Sequence, residues 1–170
     1  MQRPTSGEFN TYFQKYIGLV GEGDFDELLQ ENTKETLAFF NSIDVTKHNY
    51  KYAENKWTIK DVLMHIIDTE RGFSYRAIIC IRKDDKTPLY PMDEDFFAAN
   101  VSTTDRSMES LLEEFLAVRK SFSFLFQNTT DEHLQFIRNN NGHPISARAL
   151  GYIGIGHILH HLHVIKERYL

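Results

Sequence analysis

The chain has 170 residues, of which 41% are hydrophobic, and this is enough for one domain, residues 1–170, with its own core. Its 24 acidic side chains outnumber the 19 basic ones and give a formal net charge of -5, which argues against nucleic acid as a partner. A single cysteine excludes an internal disulfide, and no apolar run suits a membrane span or a signal peptide, so we expect a cytoplasmic protein.

Four segments carry apolar residues at helical spacing, whereas the strict alternation of a strand is nearly absent, so the sequence predicts an all-α fold. The first predicted helix runs from about Asp24, its N-cap, to about Ile43. Residues 1–23 precede it and include the partly apolar stretch TYFQKYIGLV. We expect these residues to form an arm that docks on the helices.

The second predicted helix begins after Thr58 and runs to about Arg82. Thr58 can cap the helix backbone, and Asp61, three residues later, supplies the acid of a capping box. Residues 83–106 then separate this helix from the third. An extended chain covers ~3.3 Å per residue, so this segment can cross the whole bundle and let the second and third helices run parallel.

The third predicted helix begins after its N-cap, Ser107, and runs to about Asn128. The fourth begins after Ser146 and reaches nearly to the C-terminus. Between them, the pair Asn141 and Gly142 predicts a tight turn in a small hairpin. The sequence therefore predicts a four-helix bundle with a long crossover between helices two and three.

The fourth helix contains four histidines that are not equivalent. At ~100° per residue, His157 and His161 fall on the apolar stripe, His160 lies at its edge and His163 on the polar face. Histidines one turn apart can bind one ion, and His65 on the second helix could supply a third ligand. Two interpretations remain: one metal site formed by the two stripe histidines and His65, or three core histidines with separate hydrogen bonds.

Two acidic side chains follow His65 on the second helix. Asp68, three residues on, is the better placed to orient an imidazole or to act as a base, and it is the candidate catalytic residue. Glu70 points more to the side. The plainer alternative gives neither acid a role in the site. Asp68 would then be a capping or solvated acid, and Glu70 would form an ion pair with Arg71 or Arg76.

Three other features concern the surroundings of the histidines. The crossover stretch MDEDFFAAN could form a lid over the site, or an acidic loop anchored by its two phenylalanines. Gly151, Gly154 and Gly156 are unfavourable inside a helix, which predicts either close packing of another element or room for a ligand. Cys80 lies among apolar residues and is predicted to be buried and inert.

These features together resemble the DinB-like family of bacterial metal-binding four-helix bundles. The resemblance rests on KWTIKDVLMHIIDTER in the second helix, DDKTPLYPMDEDFF in the crossover and PISARALGYIGIGHILHHLHVIKERYL in the fourth helix. It extends over almost the whole chain from about Tyr12 onward. It implies an up-down-down-up bundle in which His65, His157 and His161 bind a divalent metal ion such as zinc or nickel.

The resemblance also implies a class of chemistry. Members of this family or of its wider superfamily resemble metal-dependent hydrolases, thiol transferases that use low-molecular-weight thiols, and thiol-dependent isomerases. The metal would activate a water or a thiol for attack on a small-molecule substrate, and the resemblance further implies a homodimer. The alternative is a non-catalytic bundle in which the metal, or a histidine network, serves stability, dimerisation or stress sensing.

Overall fold

The computed structural model describes residues 1–140 and 142–170 and is mostly helical. No helix in these two ranges is long and apolar enough to cross a membrane. The elements in chain order are α1 (Gln14–Ile17), α2 (Phe25–Ser42), α3 (Ile59–Ile81), α4 (Glu94–Asn100), α5 (Met108–Phe124), α6 (Asp131–Leu134), β1 (Ile137–Asn140), β2 (His143–Ser146) and α7 (Ala147–Arg168).

The four long helices α2, α3, α5 and α7 begin where the capping residues predict. The Asp24 carboxylate accepts hydrogen bonds from the backbone of α2, and the hydroxyls of Ser107 and Ser146 do the same for α5 and α7. At α3, Thr58 Oγ1 accepts from the Asp61 N–H at 3.0 Å, and the Asp61 carboxylate accepts from the Thr58 N–H at 2.9 Å. The predicted capping box is confirmed.

The α5 helix is shorter than predicted. It ends at Phe124 rather than near Asn128. Asn128 has a φ of 71°, a left-handed conformation that an α-helix cannot continue through. The apolar spacing therefore extends past the point at which the backbone turns away.

The predicted hairpin lies between α6 and α7. Strands β1 and β2 pair in antiparallel register, with Ile137 opposite Ser146. The expected turn falls partly on Asn141, which lies outside the described residues. Gly142 has a φ of 87°, a conformation that glycine adopts without strain.

Helices α3 and α5 lie side by side and run in the same direction. Near the start of α3, the Lys60 Nζ donates to the Arg106 carbonyl oxygen just before α5, at 3.0 Å. Further along, Arg71 on α3 pairs with Glu114 on α5 at 2.6 Å. Contacts that advance together along both helices require a parallel pair, which the length of the crossover allows.

Helix α7 runs antiparallel to α3. The Tyr169 hydroxyl, just past the end of α7, donates to the carbonyl oxygen of Trp57 just before α3, at 3.0 Å. At the opposite end, Cys80 on α3 lies beside Ile145, which precedes α7.

Helix α2 runs parallel to α7. The rings of Phe25 and Tyr152, near the two N-terminal ends, lie 5.3 Å apart. Further along both helices, Lys166 lies 3.7 Å from Glu35. Because α3 and α5 both run antiparallel to α2 and α7, the bundle has the predicted up-down-down-up arrangement.

The bundle core consists of two clusters of buried apolar side chains. On α7, Ile155 belongs to one cluster and Ile158 to the other, and on α3 Phe73 and Ile67 divide in the same way. Between the clusters, each long helix carries buried polar side chains, which we call the polar layer: Asn32, Thr36, Thr69, Glu70, Arg119 and His157.

An ion pair in the polar layer connects α3 and α5. The Arg119 guanidinium lies 2.6 Å from the Glu70 carboxylate, and both side chains are buried. Burial raises the pKa of Glu70 to about 7, although the charge of Arg119 acts to lower it. The expected pairing of Glu70 with Arg71 or Arg76 is therefore wrong, because Glu70 faces α5 inside the bundle.

Residues 1–23 lie against the bundle and are held by buried polar contacts. The Glu8 carboxylate accepts hydrogen bonds from Ser146 Oγ and Arg148 Nε, each at 2.9 Å. Burial acts to raise the pKa of Glu8, but the hydrogen bonds, led by the one from Arg148, outweigh it and lower the pKa. Glu8 therefore ties this segment to the start of α7 as a carboxylate.

The short helix α1 crosses α7 at a glycine. A Cβ atom added to Gly156 would lie 2.0 Å from the carbonyl oxygen of Tyr16, so only glycine allows the two backbones to meet. Added Cβ atoms at Gly151 and Gly154 would lie 2.9 and 3.0 Å from aromatic rings of α2 and α5. Close packing, rather than room for a ligand, explains all three glycines.

We predict that two glycine substitutions in the bundle have opposite effects on stability. Gly72→Ala in α3 should raise the free energy of unfolding by ~0.5–1 kcal/mol, since alanine favours a helix and the nearest atom, Met92 Sδ, is 4.0 Å away. Gly156→Ala should lower it by ~1–3 kcal/mol through the clash with α1. Urea unfolding of both variants measures the difference, and equal stabilisation would show that α1 does not contact α7 this closely.

Candidate metal centre

Three histidines from two antiparallel helices point their ring nitrogens at one another. His157 and His161 lie one turn apart on α7, and His65 faces them from α3. The His157 Nε2 lies 3.1 Å from the His65 Nε2 and 3.0 Å from the His161 Nε2. All three ligand atoms lie within 4.8 Å of one another, so this triad could hold a metal ion.

Burial keeps the three rings neutral near pH 7. It lowers the pKa of His65 to about 4. It also lowers the pKa values of His157 and His161 well below the ordinary value, and neighbouring histidines add to the effect. A neutral imidazole keeps a lone pair on one nitrogen, which is the form that binds a metal ion.

Hydrogen bonds among the three rings cannot account for both short contacts of the His157 ring nitrogen. The His157 Nε2 faces two other nitrogens, but a neutral imidazole nitrogen carries either one proton or one lone pair, so it is suited to only one of these contacts. A cation at the centre would accept a lone pair from each ring. Two nitrogens bound to one tetrahedral zinc at ~2.0–2.1 Å lie about 3.3 Å apart, close to the 3.1 and 3.0 Å that separate the His157 Nε2 from its two neighbours. The donor set therefore fits a divalent metal ion.

Thr69 is the side chain placed to orient His65. Its Oγ1 lies 3.4 Å from the His65 Nδ1, the nitrogen that keeps the proton when Nε2 binds a metal. Sequence reasoning missed this residue. The signal was available, because Thr69 follows His65 by four residues and therefore shares its face of the helix.

The triad lies in the wall of a pocket of about 390 Å³. The pocket extends between the bundle, the N-terminal residues 1–23 and the crossover, which contributes Met92 and Glu94. The contribution of residues 1–23 was not expected from the sequence. Aromatic side chains form much of the wall: Tyr12, Phe13, Tyr16, Trp57 and Phe73.

Asp68 lies beside the triad but outside this pocket. It lines a small separate crevice with His65. Its carboxylate accepts a hydrogen bond from Arg71 at 3.1 Å, and burial raises its pKa although the arginine acts to lower it. A role for Asp68 in orienting an imidazole or as a base stays a prediction.

The acidic crossover stretch contributes to the pocket without being anchored by its aromatic residues. Met92 and Glu94 line the pocket, and Glu94 begins α4. Phe96 and Phe97 on α4 are 63% and 46% exposed. The expectation of an anchor formed by two phenylalanines is therefore wrong, because neither ring is buried: Phe96 is largely exposed, and Phe97 lines the crevice beside His65 while about half of it stays exposed.

The remaining histidines of α7 lie as the helical wheel predicts, and Cys80 is buried as its apolar neighbours in the sequence predict. His160 is half-buried and His163 is exposed. Cys80 is fully buried, and burial raises the pKa of its thiol to about 12. The prediction of an inert core thiol is confirmed.

Residues 28–165 match the family model described as the DinB superfamily. Among solved structures, the chain is similar to YfiT from Bacillus subtilis, described as a probable metal-dependent hydrolase with an unusual four-helix bundle topology. The two are 15% identical, the match covers 98% of this chain and 90% of the other, and the TM-score is 0.73, which shows a shared fold. No curated protein sequence matches the chain.

The triad predicts that one histidine of α7 is needed for metal binding and another is not. Protein purified without a nickel column should carry about one divalent metal ion per chain, measured by elemental analysis. His161→Ala should lose the metal, whereas the exposed control His163→Ala should keep it. Wild-type protein that contains no metal and cannot be loaded with zinc or nickel would contradict the assignment.

Proposed function

Because the chain belongs to the DinB superfamily, we propose that it is a metal-dependent enzyme that acts on a small molecule. His65, His157 and His161 hold a divalent metal ion, zinc or nickel. One observation carries the proposal: three neutral histidine nitrogens converge in the wall of a pocket, and in the described ranges no carboxylate or thiol joins them.

The number of protein ligands favours a catalytic metal over a structural one. Structural zinc sites are closed by four protein ligands, whereas catalytic sites use three and leave a position for water or substrate. The triad has three ligands and adjoins a pocket of about 390 Å³, a volume suited to a small molecule. A purely structural metal would need neither the open position nor the pocket.

A bound metal would lower the pKa of a water or a thiol and supply hydroxide or thiolate for attack on an electrophile. The protein side chains provide the setting for this step. The three rings stay neutral through burial, and Thr69 holds the proton-bearing side of His65. The ring of Phe73 packs 5.8 Å from that of His157 and forms an apolar part of the pocket wall beside it.

Two kinds of nucleophile are compatible with the site. The description of YfiT as a probable metal-dependent hydrolase supports a water nucleophile by analogy of fold. A low-molecular-weight thiol is the alternative, because thiolates are good ligands for zinc and nickel. The reaction is therefore either hydrolysis or transfer of an electrophilic group to a thiol.

We predict that the metal-loaded protein turns over a substrate from one of two panels. The first contains simple esters and amides, and the second pairs electrophiles with several small thiols. The turnover rate of His163→Ala should equal that of the wild-type protein. The rate of His161→Ala should fall to that of the uncatalysed reaction, because this variant loses the metal.

The pattern of activity distinguishes the subclasses. Turnover that requires an added thiol identifies a transferase and contradicts the hydrolase, whereas ester cleavage without a thiol does the reverse. A metal that spectroscopy shows to be fully ligated by protein would contradict an enzymatic role and favour a structural one.

A further inference from the structure

Arg76 lies in the wall of the same pocket as the triad and on the same face of α3 as His65. Eleven residues separate the two, which at ~100° per residue places Arg76 about 20° beyond three full turns. At ~1.5 Å per residue, their Cα atoms are about 16 Å apart along the helix. Arg76 and His65 thus contribute to the pocket wall from positions about three turns apart on α3.

The guanidinium of Arg76 has no carboxylate partner among the described residues. One of its terminal nitrogens donates to the Tyr90 carbonyl oxygen at 2.8 Å. The two buried arginines are paired with acids, Arg119 with Glu70 and Arg148 with Glu8. Arg138, like Arg76, is partly buried and donates to a carbonyl oxygen instead, but of these two only Arg76 lines the pocket.

The environment of Arg76 leaves its charge uncompensated. Burial lowers its pKa, and no neighbouring acid acts to raise it again. Glu94 also lines the pocket, but it is exposed and forms no ion pair with Arg76 in the described ranges. Removing a charge from water is unfavourable unless a partner compensates for it.

A carboxylate on a bound ligand would be such a partner. The planar guanidinium carries donors in a fixed fork that matches the two oxygens of a carboxylate. Phe73 lies between His65 and Arg76 along α3, and its ring and that of Tyr16 line the pocket, which suits an apolar or aromatic ligand body.

We infer that the pocket selects small molecules with an apolar or aromatic body and a carboxylate at one end, which Arg76 binds. The other end then faces His65, His157 and His161, where the reaction takes place. This inference deepens the proposed function, since it names the substrate class of the same site.

Trp57 provides a direct test that does not depend on the metal. It is the only tryptophan of the chain, it lines the pocket, and its ring lies 4.8 Å from that of His65. Its fluorescence therefore reports on occupation of the pocket. The probes are hexanoate and hexanamide, which have nearly the same shape and differ in charge, titrated into metal-free protein so that the carboxylate cannot bind a metal.

Wild-type protein should bind hexanoate about tenfold or more tightly than hexanamide, because a charge-assisted pair is stronger than a neutral hydrogen bond. Arg76→Gln should abolish this preference, and Arg76→Lys, which keeps the charge without the fork, should retain part of it. Arg71→Gln is the matched control: it removes the same charge from the same helix, outside the pocket, and should keep the full preference.

Equal binding of the two probes, undetectable binding of hexanoate, or a preference that survives in Arg76→Gln would overturn the inference. Zinc binding is measured on the same samples and separates this result from the proposed function. Arg76→Gln should still bind zinc. Wild-type protein that prefers hexanoate but binds no zinc would leave the carboxylate site standing and contradict the metal-dependent activity.

Discussion

Burying charged and polar groups between the two apolar clusters of the bundle is costly unless they are paired, and the rest of the structure depends on how the charged groups and the histidines are paired. On one side of the polar layer, Glu70 and Arg119 meet this requirement as an ion pair between α3 and α5. Removing either partner of such a pair leaves an isolated buried charge, which costs ~3–5 kcal/mol. The pair therefore favours the parallel alignment of these two helices and, with it, the long crossover.

On the other side of the layer, His65, His157 and His161 lie together, and the single Nε2 of His157 cannot satisfy both of its neighbours by hydrogen bonds. A shared cation would accept a lone pair from each ring and so compensate for their burial. Residues 1–23 and the crossover then enclose the space beside the triad, and the close approach of α1 to α7 at Gly156 lets the enclosure form. The packing of the bundle and the formation of the pocket are thus coupled.

Much of this arrangement could be predicted from the sequence, because helical periodicity and capping are local properties. The N-caps were correct, and the wheel separated His157 and His161 from the exposed His163. The partner of Glu70 could not be predicted, since periodicity gives the face of a residue but not the helix it faces. The place of Tyr16 in the pocket wall has the same explanation, because docking of residues 1–23 depends on tertiary contacts.

We propose that three histidines, and no fourth protein side chain, hold one metal ion beside the pocket. X-ray absorption spectroscopy of the zinc-loaded protein measures this ligand set. We expect three imidazole nitrogens at ~2.0–2.1 Å and at least one further oxygen ligand that a small thiol or anion displaces. Four protein ligands, a sulfur ligand in the absence of added thiol, or a spectrum unchanged in His161→Ala would contradict it.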